Sequence, residues 1–210
     1  MNSIERMRLK TLAKEQIKGN IGILFLILFA VYVLIFAATW VTSAVGGIGG
    51  YIIGPALTIS IIMVYLNLAK GIKPQFTDSF NGFEIFAKAL LLQLITEVFT
   101  FLWTLLFIVP GIIKSISYSA APYIMAENPT ISAMDALDES KRIMDGHKMD
   151  YFVLTLSFIP WMLLGVLTLG IALIYAVPYM DMTLTNFYLS IKPQTVEEET
   201  PPFTFEQTMQ

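Results

Sequence analysis

Cysteine is absent from this sequence, histidine occurs once, at position 147, and charged residues make up only 14% of the chain. The first absence excludes disulfides, thiolate chemistry and cysteine-ligated metals, while leaving the redox compartment open. No H-E-x-x-H, G-x-S-x-G, P-loop or dinucleotide fingerprint occurs. His147 stands in a turn beside Lys148, where a solvated helix-end role is simpler than that of a base. Ser115, Ser117 and Ser119 lie near Lys114, but nothing in the pattern orients them as a serine–lysine pair. The expectation is a protein without catalytic residues, cofactor or bound metal. Nucleic-acid binding would rest on the amino-terminal bases alone, which membrane orientation already explains.

Charge is missing most completely from residues 19–69, fifty-one consecutive positions without Asp, Glu, Lys, Arg or His. A soluble domain must show water a polar face, so such a run reads as lipid-embedded chain. It is too long for one crossing of about 20 residues, and Gly46-Gly47-Ile48-Gly49-Gly50 interrupts it. Two helices, 21–45 and 51–69, joined by a glycine turn are therefore expected. Gly46, Gly50 and Gly54 fall four apart, a spacing that suits close helix packing, although turn chemistry accounts for most of them. A mean hydropathy of +0.68 extends the membrane reading to the whole chain.

What charge there is has a pattern. Residues 1–20 form a basic segment with Arg6, Arg8, Lys10, Lys14 and Lys18. As a helix it puts the three lysines on one face and Leu9, Leu12 and Ala13 roughly opposite. Such a helix would rest on the inner leaflet with its lysines toward lipid phosphates, or serve only to orient the chain. Lys70-Gly71-Ile72-Lys73-Pro74 closes the first pair of helices, and Phe76, Phe80, Phe83 and Phe86 among charges suit the headgroup region. A third crossing is expected over 89–109, a turn at Pro110-Gly111, and a shorter, more polar fourth segment over 112–126, crossing or bent at Pro122. Ser132 followed by Asp135 starts an amphipathic helix over 131–145, with Asp138 and Arg142 spaced to pair. The last pair of helices, 151–167 and 171–191, bends near Gly165, Thr168 and Gly170. Residues 192–210 form an acidic tail with Glu197-Glu198-Glu199 and too little apolar content to fold alone.

Six crossings over 21–191 put the amino terminus, 70–88, 127–150 and the tail on one side, and these segments hold twelve of the thirteen Lys and Arg. The positive-inside rule then places both termini in the cytoplasm. The expected fold is all-α: a polytopic bundle of six transmembrane helices arranged as three hairpins. Gly19, Gly82 and Gly146 precede Trp40, Trp103 and Trp161, which reads either as a parallel threefold repeat or as mere hairpin regularity.

Ionisable residues inside a membrane are costly, and each is a functional candidate. Glu97 falls near the middle of the third crossing and Asp181 near the middle of the sixth, three residues after Pro178. Two carboxylates at similar depth could bind a cation or relay protons. Gln93, Asn186 and Lys114 complete the polar set, and the competing reading makes all of them hydrogen-bonded glue between helices.

The strings Tyr118-Ser119-Ala120-Ala121-Pro122-Tyr123-Ile124-Met125-Ala126-Glu127-Asn128-Pro129, Met144-Asp145-Gly146-His147-Lys148, Leu156-Ser157-Phe158-Ile159-Pro160-Trp161 and Pro178-Tyr179-Met180 with Asn186-Phe187-Tyr188 resemble the bacterial membrane family called domain of unknown function 975. The opening Ala13-Lys14-Glu15-Gln16-Ile17-Lys18-Gly19-Asn20 is similar to that family's too. The resemblance implies a multi-pass protein of a bacterial plasma membrane, without catalytic residues to carry over. Where the family pattern leads one to expect a neutral polar residue after Pro-Tyr-Met, this chain has Asp181. Together these readings favour a non-enzymatic structural or partner-binding protein of the cell envelope, its partners the lipid bilayer and another membrane protein or a second copy. A small transporter or transporter subunit is the alternative.

Overall fold

Helices in the computed structural model, which describes residues 3–106 and 108–193, break where the sequence offers glycine, proline or a change of polarity. The order is α1 Ser3–Ile17, α2 Ile21–Val41, α3 Ile48–Ala69, α4 Phe86–Leu106, α5 Ile108–Tyr118, α6 Ala121–Glu127, α7 Ala133–Ile143, α8 Lys148–Leu156, α9 Ile159–Leu167 and α10 Leu173–Ile191. Short 3₁₀ segments cover Ser43–Val45 and Phe76–Ile85. Among the described residues there are no strands. The acidic stretch of the tail, residues 194–210, lies outside them.

Four stretches are long and apolar enough to cross a membrane: Ile21–Val41, Ile48–Ala69, Phe76–Leu105 and Lys148–Leu167. The fourth expected crossing is divided into α5 and α6, with Pro122 in the first turn of α6, where its missing N–H leaves no bond unmade. The sixth is continuous as α10, whose 19 residues include Asp181, Thr183, Thr185 and Asn186. α8 and α9 separate at Ser157–Phe158, just before Pro160.

α3 is the axis of the molecule. It buries 61% of its most apolar stretch, against 22% for α2, whose Phe29, Phe36 and Trp40 remain exposed as an apolar face for lipid. The α2–α3 turn is made by Gly46 and Gly47, both left-handed, at φ of 88° and 70°. Gly50 instead permits contact: a Cβ there would stand 2.1 Å from the Thr39 hydroxyl. Gly54 faces open space, so the spacing of 46, 50 and 54 is not a packing motif.

Phe76–Ile85 lies against α3, and Gly82 is what lets it in. Its N–H donates to Ser60 Oγ at 2.8 Å, and an added Cβ would stand 2.1 Å from the Ala56 carbonyl oxygen. Gly19 and Gly146, its counterparts in the proposed repeat, are left-handed with nothing within 4 Å. Gly82 therefore does a different job from the other two.

The reversal between α4 and α5 falls earlier than Pro110-Gly111. Pro110 already sits in the first turn of α5, and Gly111 lets the two helices approach at Thr104. α7 starts one residue after Ser132, whose Oγ accepts from the Asp135 N–H at 3.1 Å. Arg142 pairs with Glu139, at 2.8 Å from Nε, and Asp138 with Lys141 at 2.7 Å, so the expected Asp138–Arg142 pair does not form. Leu137 and Ser140 of α7 are buried, and Ser140 Oγ donates to the Ser117 carbonyl at 2.8 Å.

Candidate functional site

The polar residues singled out from the sequence occupy four separate places. Glu97 is on the exposed side of α4, where its carboxylate accepts from the Tyr51 hydroxyl of α3 and from Gln93 one turn earlier. Lys114 lays its ammonium over the Trp103 ring, 4.7 Å from the centroid. Asn186 donates to Gln16 Oε1 at 2.7 Å, joining α10 to α1. Glu97, Gln93, Lys114 and Asn186 are thus all partnered by neighbouring side chains.

Asp181 differs. Its carboxylate points into the bundle and acts electrostatically on four tyrosine hydroxyls: Tyr32 of α2, Tyr65 of α3, Tyr123 of α6 and Tyr151 of α8. Tyr65 is 2% exposed, and its hydroxyl approaches the carboxylate without completing a hydrogen bond, with no other partner. Tyr123 sits beside Thr185, and Tyr151 beside Ser119. Among the described residues no lysine, arginine or histidine forms an ion pair with Asp181. Asp181 shares none of these neighbours with Glu97, so the two carboxylates do not form one site.

At one end of the bundle the helix termini are tied together. Glu127, closing α6, accepts from the Tyr188 hydroxyl at 2.6 Å and from Lys192 at 2.7 Å, and Tyr188 stacks on Tyr123 at 5.1 Å. α1 docks at the same end. Leu9, Ala13 and Ile17 are buried, Arg6 pairs with Asp150 at 3.3 Å, and Lys10 and Lys14 lie over the rings of Phe158 and Tyr179, 4.9 and 5.3 Å from the centroids. Burial, with Lys14 adding repulsion, pushes the Lys10 ammonium below its ordinary value. Two of the three lysines expected to face lipid phosphates thus face aromatic rings of the bundle, because Leu9, Ala13 and Ile17 turn the helix inward. Between α1 and α10 lies an open groove of about 660 Å³, with Arg8, Gln16, His147 and Asn186 among leucines.

The sequence did not mark Tyr32, Tyr65, Tyr123 or Tyr151 as a set. They come from four helices, and only the fold brings them together. No group of three His, Cys, Asp or Glu side chains gathers among the described residues, and the chemistry on offer is hydrogen bonding, cation–π contact and a part-buried carboxyl among tyrosines.

No curated protein and no solved structure matches the chain. The sequence model of one family, described as protein of unknown function (DUF975), matches residues 1–117 and 105–195. Those matches run from the docked amino-terminal helix through the end of α10, and the chain belongs to the DUF975 family.

Proposed function

We propose that this membrane protein crosses a bacterial plasma membrane six times, with both termini in the cytoplasm, and works by binding a membrane-protein partner or a second copy rather than by catalysis. α5 with α6 would supply the fourth crossing and α10 the sixth. The distribution of twelve of thirteen Lys and Arg over the same-side segments supports the orientation. One observation carries the binding role: α1 is fastened to the last helices by an ion pair, a side-chain hydrogen bond and two lysine–aromatic contacts. A merely orienting basic segment needs none of these. α1 forms a fixed, charged wall of the groove, while Glu97, Gln93 and Lys114 are occupied with neighbours.

Single cysteines introduced at positions 48 and 139 test the topology, since no native cysteine has to be removed. Membrane-impermeant reagents should label them from opposite sides; labelling from the same side overturns it. Crosslinking in intact cells followed by mild-detergent purification tests the binding role. A chain that always emerges alone, while its deletion alters only the flux of a solute, would favour the second reading, a transporter or transporter subunit. Asp181, part-buried in α10 and without an ion-pair partner among the described residues, is the observation that favours that alternative.

A further inference from the structure

We propose that the turn joining α9 to α10, residues 166–171, is a lipid-contact surface, immersed in the acyl chains of the far leaflet rather than standing in water or docked on protein. The inference goes beyond the binding role. It rests only on the membrane character of the chain, not on the number of crossings.

The side chains suit lipid. No Asp, Glu, Lys, Arg or His occurs over 151–180, and Val166, Leu167, Leu169 and Ile171 are exposed by 72% to 94%. Among the described residues Leu169 is the only non-glycine with positive φ, at 50°, a conformation that usually goes to glycine or asparagine. The loops at the charged end of the bundle are polar by contrast: Asn128, Thr130 and Ser132 before α7, and Asp145 and His147 after it.

Exposed apolar side chains alone would suit a protein partner equally; the backbone decides for lipid. Acyl chains offer no hydrogen-bond partner, so irregular backbone among them must satisfy itself. This turn does. The N–H groups of Thr168 to Ile171, Leu173 and Ile174 donate to carbonyls three to five residues earlier, with Gly170 to Gly165 at 2.7 Å. The remaining N–H, that of Ala172 where α10 begins, donates to the Thr168 hydroxyl oxygen at 3.0 Å, and that hydroxyl donates to the Leu164 carbonyl at 2.8 Å. No N–H in the turn asks anything of a partner.

The length of the helices agrees. Tyr151 packs on Phe187, Phe158 on Tyr179 and Trp161 on Tyr175, with ring centroids 5.4 to 5.8 Å apart, so the two arms run side by side and their turn lies opposite Lys148 and Lys192. α10 has 19 residues, about 28 Å of helix, against a hydrocarbon core of about 30 Å. The other arm is α8 and α9, 9 residues each, broken at Ser157–Phe158. With Lys148 and Lys192 held among headgroups, neither arm carries the turn beyond the far edge of the core, and any tilt draws it deeper.

Spin labels on the full chain in phosphatidylcholine nanodiscs test the assignment, through Leu169→Cys, Ile171→Cys and, as a water-facing reference on α7, Asp138→Cys. Collisions are measured with oxygen, which concentrates in acyl chains, and with a nickel chelate confined to water. The oxygen-to-nickel ratio at 169 and 171 should be several-fold above that at 138. A ratio equal to that at 138 overturns the proposal, because the turn would then stand in water. Weak collision with both reagents also overturns it, because a second copy or another protein would then cover the turn. Circular dichroism and gel filtration check that each labelled chain folds, and Val166→Cys replaces any that does not. Same-side labelling at 48 and 139 would fault the six-crossing topology and leave this proposal standing.

Discussion

Glu97 and Asp181 look alike in the sequence, each a lone acid in an apolar helix, yet they solve the problem of a charge near lipid in opposite ways. Glu97 stays on the outer face of α4 and collects two donors, Tyr51 and Gln93, one of them only a turn away. Asp181 instead acts electrostatically on tyrosine hydroxyls from four other helices, and that of Tyr65 makes no hydrogen bond. A polar group answered by its own helix and one neighbour is local glue. One that requires four helices to agree in position constrains the whole bundle. The lesson is that depth in a hydrophobic run says little about a residue's role; the number of elements converging on it says more.

That contrast can be broken most forcefully at the tyrosines. Tyr65→Ala should destabilise the chain by about 3–5 kcal/mol, the usual range for emptying a packed aromatic site. Tyr51→Ala, at a residue 44% exposed, should cost at most about 1.5 kcal/mol for its lost hydrogen bond. Unfolding followed in detergent micelles checks both, and equal losses would erase the distinction. Next in size, Glu97→Gln should cost about 1 kcal/mol by replacing one acceptor oxygen at the Tyr51 and Gln93 contacts with an amide N–H donor. A loss above about 3 kcal/mol in the same assay would mean that Glu97 is no local feature. Asn186→Leu should free the α1–α10 contact at Gln16, for about 1 kcal/mol. Faster amide exchange confined to α1 is the expected readout.

A third carboxylate, in water, calibrates the other two. Hydrogen bonding to Arg142 holds the Glu139 carboxyl below its ordinary value of 4.5. A folded-state value below the unfolded one stabilises α7 at pH above that ordinary value, and the contribution fades as pH falls through the folded value. The effect should be the smallest of the set, since both side chains are exposed to solvent screening. Arg142→Gln should flatten the acid side of the stability profile, and an unchanged profile would show that the pair does nothing.

Much of the scaffold was legible because lipid imposes a one-dimensional rule. Runs such as 21–41 and 48–69 need only a length and a lack of charge to be recognised, and Gly46-Gly47 needed only glycine's tolerance of positive φ. The amphipathic helix after Ser132 announced itself through its cap. What escaped was everything set by packing between distant segments. Pro110 marks a turn by propensity, but α5 takes it into its first turn, where proline is equally at home. Arg142 chose Glu139 over Asp138 because three- and four-residue spacings both place side chains within reach. Gln93 with Glu97 could be anticipated from their spacing, whereas Asp181 with Tyr32, Tyr65, Tyr123 and Tyr151 spans 150 residues and leaves no local trace.

The seating of α1 sets an order of events during synthesis. Its partners Asp150, Phe158, Tyr179 and Asn186 all belong to the last third of the polypeptide, up to 170 positions downstream. At translation rates of about 5–20 residues per second, the first helix off the ribosome waits on the order of ten seconds or longer before its berth exists. The earliest segment made is thus the latest to settle, and it closes the assembled bundle as a latch would.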